Sequence, residues 1–268
     1  MIDKLTKFIK SEFLLIYQMG KVASTSIENS LKRRSDLKFH IYHIHSFYSP
    51  ISYEMFKNFN CVKYYHSLWD RFIYYIRNVI ILSLFKRNKR IKIISLVREP
   101  VSRNVSMFFQ DIQIPVFELS KLFDNRLDSN SNLKALEKIF YDKLNHNYGV
   151  EWLDNELKRA FGIDVYKYDF NKEKGFSLIK QGNIELMIIK MEKINELEKE
   201  IGEFLDIKDF RLVNENTSEK KWYSCVYKEF IKNFRPSEDY INNLYDTKYM
   251  KHFYSEEEIK NFKIKWLN

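Results

Sequence analysis

Cysteine is almost missing from this 268-residue chain: it has two, Cys61 and Cys225. With no CxxC pair, neither a disulfide framework nor a zinc site is indicated, and free thiols in a reducing compartment are expected. Glycine and proline are scarce, at 6 and 4 residues. That scarcity argues against a fold of many glycine turns and against long disordered linkers. Long apolar runs are lacking as well. Phe13 to Tyr17 is too short for a membrane span, and the segment around it has no signal-peptide cleavage region. The longer stretch from Phe72 to Phe85 is interrupted by Arg77 and Asn78. A soluble, cytoplasmic protein is therefore expected, at most touching the inner face of a membrane. Internal repeats, low-complexity tracts and His/Cys metal clusters are also missing. No DNA- or RNA-binding module accompanies the charge, so nucleic acid is not expected as a partner.

Aromatic residues are abundant, with 22 Phe and 18 Tyr. Lysine plus arginine is 45 against 36 acidic residues, a formal charge of +9. A basic surface attracts anionic ligands, glycans or membranes, although a lysine-rich composition also arises without a ligand.

The hydrophobic pattern predicts strands at Glu12–Met19, Phe39–Phe47, Ile91–Val97, Ile163–Tyr168 and Ile184–Lys190, with a short one at Val62–Tyr65 leading into His66. It predicts helices from Ser24, over 51–59, over Leu68–Leu84, over Val101–Phe109, within 131–160, over Ile194–Phe204, and through most of the chain after Thr217. Strands alternating with helices predict an α/β core over residues 1–215 around a central parallel sheet. A helical C-terminal extension over 216–268 is expected to pack on it.

Two loops carry the chemistry. After the first strand runs Gln18-Met-Gly-Lys-Val-Ala-Ser-Thr-Ser26. Gly20 is expected to permit tight geometry, amides near Ala23 to Ser26 to meet an anion at the helix start, and Lys21 to supply the cation. Ser24, Thr25 or Ser26 could cap the helix. This is not a Walker A loop, which disfavours a magnesium-dependent phosphotransferase. After the strand Ile91–Val97 comes Arg98-Glu-Pro-Val-Ser-Arg-Asn-Val-Ser106, at the sheet edge where ligands of open parallel sheets bind.

Lys21-Val-Ala-Ser-Thr-Ser26 and Arg98 with Ser106 resemble the two nucleotide loops of sulfotransferases that use PAPS (3'-phosphoadenosine 5'-phosphosulfate). That resemblance implies a P-loop-like three-layer fold of sulfotransferase type, PAPS as the donor co-substrate, and no required metal. It implies that Gly20, Lys21, Ala23, Ser24, Thr25 and Ser26 grip the 5'-phosphosulfate, and that Arg98 and Ser106 hold the 3'-phosphate. Val22 departs from the usual hydroxyl residue. Together with His43-Ile-His45, the segment Lys221-Trp-Tyr-Ser224 resembles the bacterial capsular polysaccharide synthesis family that is named for an Asn-Lys-Trp-Tyr-Ser motif, with Lys220 in place of Asn. Asn214-Glu-Asn216 has the look of the same family.

This second resemblance implies a saccharide or glycolipid acceptor in capsule or cell-envelope synthesis. Lys220 and Lys221 could close over the 3'-phosphate. Sulfuryl transfer needs a base, and three histidines compete: His45 first, then His66, then His43, with Glu28 and Glu54 behind them. Trp222 and Tyr223 either stack on a ligand or pack, with packing favoured. A kinase-like phosphotransferase and a non-catalytic envelope scaffold are the competing readings.

Overall fold

The computed structural model describes residues 12–56, 58–59, 67–87, 90–120, 129–213 and 221–268. The expectations for Val62–Tyr65, His66, Asn214–Asn216 and Lys220 lie outside the described residues.

A five-stranded sheet in the order β2-β1-β3-β5-β4 forms the centre. Its members are β1 (Glu12–Tyr17), β2 (Phe39–Ile44), β3 (Ile91–Val97), β4 (Phe176–Gln181) and β5 (Ile184–Lys190). β3 is buried along its whole length, and β1 after its first residue. That is why both read as near-continuous apolar runs. Lys92, inside β3, keeps its charge satisfied: its ammonium donates to the Phe204 carbonyl at 2.7 Å and pairs with Asp206.

The expected parallel sheet is mixed. β2, β1, β3 and β5 run parallel, while β4 pairs with β5 in antiparallel register. The strand expected at Ile163–Tyr168 is instead a 3-10 turn at Val165–Lys167. The edge strand beside β5 is supplied by Phe176–Gln181, where only Ile179 is fully buried. A strand buried on one face at a sheet edge shows little apolar signal, so periodicity points elsewhere.

The helices are α1 (Ser24–Lys32), α2 (Ile51–Phe56), α3 (Leu68–Lys86), α4 (Pro100–Gln110), α5 (Gln113–Ser120), α6 (Ser129–Lys143) and α7 (Tyr148–Trp152). α7 runs on through a π-helical stretch, Leu153–Lys158, and ends at Arg159–Phe161. α8 (Glu198–Leu205) follows β5. The C-terminal region contains α9 (Ser224–Asn233), α10 (Glu238–Tyr245), α11 (Lys248–Phe253) and α12 (Glu256–Leu267).

This region is stitched to the core by polar bonds as well as apolar contacts. Glu99 caps α4 through its carboxylate, which accepts from the amides of Val101 and Ser102. The same buried carboxylate accepts from the Tyr245 hydroxyl at 2.7 Å and the Trp266 indole at 3.3 Å. Lys190, at the end of β5, donates to Glu258 of α12 at 2.7 Å.

Chain order places β2 on one side of β1 and β3 on the other. The carboxyl ends of β1 and β3 therefore flank a switch point, where such sheets open a crevice.

Candidate functional site

That crevice is a cavity of about 600 Å³. Both sequence-marked loops reach it: Gly20, Lys21, Ala23, Ser24 and Thr25 from the first, Arg98 and Ser106 from the second. Lys221, from a segment more than a hundred residues later, joins them, as do His45, Gln110, Asp111, Tyr223 and Tyr227. Ser26 is buried and does not line it.

The first loop achieves its shape differently from expectation. The left-handed residues are Lys21, at φ 71°, and Ala23, at φ 63°, and Gly20 is not among the positive-φ residues. A side chain in this region carries a conformational cost that surrounding contacts must offset. Two arginines supply those contacts. Arg98 donates to the Lys21 carbonyl at 2.8 Å, and Arg103 donates to the Gly20 carbonyl at 3.2 Å. Arg103 therefore does not face solvent. It is fully buried, with its guanidinium 5.0 Å from the Tyr148 ring centre, and burial lowers its pKa to about 10.

The serines do not cap α1 either. Ala23 is the N-cap residue, no side chain caps the helix, and its first turn contains no acidic residue. Alanine has no side-chain oxygen with which to accept from the first amides. The helix start thus keeps its partial positive charge beside the cavity.

Lys21 and Lys221 both donate to one acceptor, the Gln110 side-chain oxygen, each at 3.1 Å. Burial, then the neighbouring Lys221 and Arg98, lower the Lys21 pKa to about 7. Burial raises the pKa of Asp111, the one carboxyl among the described residues that line the cavity. Among the described residues the lining therefore sets Lys21, Arg98 and Lys221 against a single acid that burial biases toward neutrality.

His45 follows β2 directly. Its Nδ1 lies 3.1 Å from the Gln18 carbonyl, so Nδ1 carries the proton and Nε2 the lone pair. Burial, with His43 next, lowers its pKa to about 4. His43 has both ring nitrogens occupied, by Glu28 at 2.6 Å and by Gln18 at 3.0 Å. Burial works against the charge of Glu28, but hydrogen bonds from Lys32 and His43 leave its carboxyl below the usual value.

What holds His45 was not legible beforehand. Its carbonyl accepts from the Trp152 indole at 2.9 Å. Glu156, in the π-helical stretch, accepts from Ser46 Oγ at 2.6 Å, the Phe47 amide at 2.9 Å and the Tyr17 hydroxyl at 2.6 Å. Tyr249 is a second missed residue: its hydroxyl accepts from the Arg98 amide at 2.9 Å and donates to the Arg98 carbonyl at 3.0 Å. Glu192 holds the adjacent turn by accepting from the Glu99 amide and the Tyr254 hydroxyl.

Of the Trp-Tyr pair, Tyr223 is buried against Phe109 and lines the cavity, whereas Trp222 is 77 % exposed.

A second cavity, of about 420 Å³, includes Tyr48, Glu54, Arg71, Tyr148, Trp152 and Arg159 in its lining. Arg159 stacks on Tyr48 at 3.8 Å, and the buried hydroxyls of Ser49 and Tyr148 have no hydrogen-bond partner. His45 lines the first cavity, and Tyr48 and Ser49 line the second. Among the described residues no cluster of metal-ligating side chains occurs.

Fold and site together define a mixed α/β protein whose switch-point crevice is cationic. Residues 124–255 match the model of a family described as "Putative capsular polysaccharide synthesis protein", NKWYS. The match includes Lys221–Ser224 and associates the chain with capsular or cell-envelope polysaccharide synthesis. It leaves out both loops that follow β1 and β3. No curated protein and no solved structure matches the chain.

Proposed function

We propose that the protein transfers a sulfuryl group from PAPS to a hydroxyl of a saccharide acceptor in capsule or envelope polysaccharide synthesis. One observation carries this reading. Lys21, Arg98, Ser106 and Lys221, drawn from three separate segments, line one cavity together with His45, whose Nδ1 is held by the Gln18 carbonyl. A ligand with separated anionic groups and an aromatic base suits that lining. Lys21 and the α1 start would take the 5'-phosphosulfate, Arg98 and Ser106 the 3'-phosphate, and Tyr223 with Tyr227 would flank the base.

Bound PAPS supplies a sulfuryl group that passes to the acceptor oxygen as the sulfur–oxygen bond to the 5'-phosphate breaks. His45 Nε2 accepts the hydroxyl proton. The Lys21 ammonium offsets the charge left on the phosphate. The second cavity, with aromatic faces, two arginines and unpartnered hydroxyls, suits a sugar ring.

Calorimetric titration with PAP, the desulfated nucleotide, tests the donor assignment. Micromolar or tighter binding is expected, weakened by Lys21→Ala and by Arg98→Ala, and unmatched by ATP with magnesium. A folded protein that ignores PAP would sink the reading; ATP binding in its place would indicate a phosphotransferase.

A further inference from the structure

Helix α3 has two apolar faces. The inner one packs on the core through Leu82 and Phe85, and Tyr74 donates to the Ser46 carbonyl at 2.7 Å. The outer one carries Leu68, Trp69, Phe72, Ile73, Ile76 and Ile80, between 41 and 82 % exposed. At about 100° per residue these side chains fall within one arc of roughly 140°, opposite the buried arc. Trp69 stacks on Phe72 with ring centres 5.7 Å apart. Among the described residues no segment covers this stripe, and it exceeds the scattered apolar exposure of an ordinary surface.

The stripe ends in charge of one sign. Lys86 and Arg87 continue the same arc at the carboxyl end of α3, and Asp70 is the only acidic residue in the helix. The whole chain carries +9. Among the described residues no helix is long and apolar enough to cross a membrane. A single convex helix of this make-up, with a tryptophan in the apolar arc and cations at its end, suits the boundary between lipid headgroups and acyl chains.

We propose that the outer face of α3 docks the protein on an anionic membrane surface, lying in its plane. A second copy of the chain is the poorer occupant, because two +9 molecules repel where an anionic bilayer attracts. The helix also turns Arg71 toward the second cavity. Docking would therefore bring that cavity to within about one helix diameter, ~10 Å, of the lipid. This consequence rests on the saccharide reading; the docking itself does not.

The test is co-sedimentation of the full chain with phosphatidylcholine vesicles, with and without phosphatidylglycerol. Binding is expected only when phosphatidylglycerol is present, and to weaken with salt. The triple variant Trp69→Ser, Phe72→Ser, Ile76→Ser should lose at least about tenfold in affinity. Lys86→Gln with Arg87→Gln should abolish the preference for the anionic lipid. Both variants alter exposed side chains, and unchanged melting and PAP titrations would show that they remain folded. Failure of the parent protein to sediment with either vesicle would overturn the proposal. So would equal binding by the triple variant. A concentration-dependent dimer that the triple variant abolishes would assign the stripe to a second copy instead.

Discussion

Lys21 sits where a cation is expensive to keep. Its folded pKa, about 7, lies below the unfolded value near 10.5. Between those values the unfolded chain binds more protons, so this group makes stability rise with pH across that window. Its penalty is complete below about 7. Lys21→Met should therefore raise the melting temperature in neutral and mildly acidic buffer, with the gain vanishing above the pKa of unfolded lysine, while PAP binding is lost. A bound anion would pull the proton back. PAP titrations above neutrality, repeated in buffers of different ionisation enthalpy, should show proton uptake by the wild type and none by the variant. His45 works in the opposite part of the scale. Neutral above about 4, it can accept a proton across the window up to about 7 in which Lys21 is still charged. The profile of kcat/KM against pH should be a bell with limbs near about 4 and about 7. His45→Gln should remove the acid limb and most of the rate while leaving PAP affinity nearly unchanged.

At the scale of elements, the sequence makes some parts plain and hides others for identifiable reasons. β1, β3 and β5 are readable because each is buried nearly throughout, and the loops after β1 and β3 because lysine, arginine and serine crowd a strand end. β4 is hidden because half of it faces solvent. The loop's left-handed residues are hidden too: Lys21 and Ala23 hold that conformation because Arg98 and Arg103 tie its carbonyls, a tertiary cause with no local signature. Glu156 and Glu99 look like surface acids in the sequence, yet each is buried and accepts several hydrogen bonds. Glu99→Ala should cost about 2–4 kcal/mol in denaturant unfolding, because it removes a helix cap and strands two buried donors. Arg159→Ala, at the wall of the second cavity, should raise the KM for the acceptor and leave PAP binding unchanged.

Residues 249–266 brace the loops of the first cavity. Tyr249 holds both backbone groups of Arg98, Tyr254 holds Glu192, and Trp266 reaches Glu99. Ending the chain after Asp246 removes all three. That variant should lose PAP binding and the single cooperative melting transition seen by circular dichroism. The same contacts set a schedule for synthesis. The loops of the cavity leave the ribosome early, but Arg98 and Glu99 gain their last partners only when residues 249–266 emerge. A nascent chain can form its sheet with the crevice still unbraced, so PAP should neither bind nor protect it until residues 249–266 have emerged. In a cell, the interval before the crevice is fully braced is set by the emergence of residues 249–266.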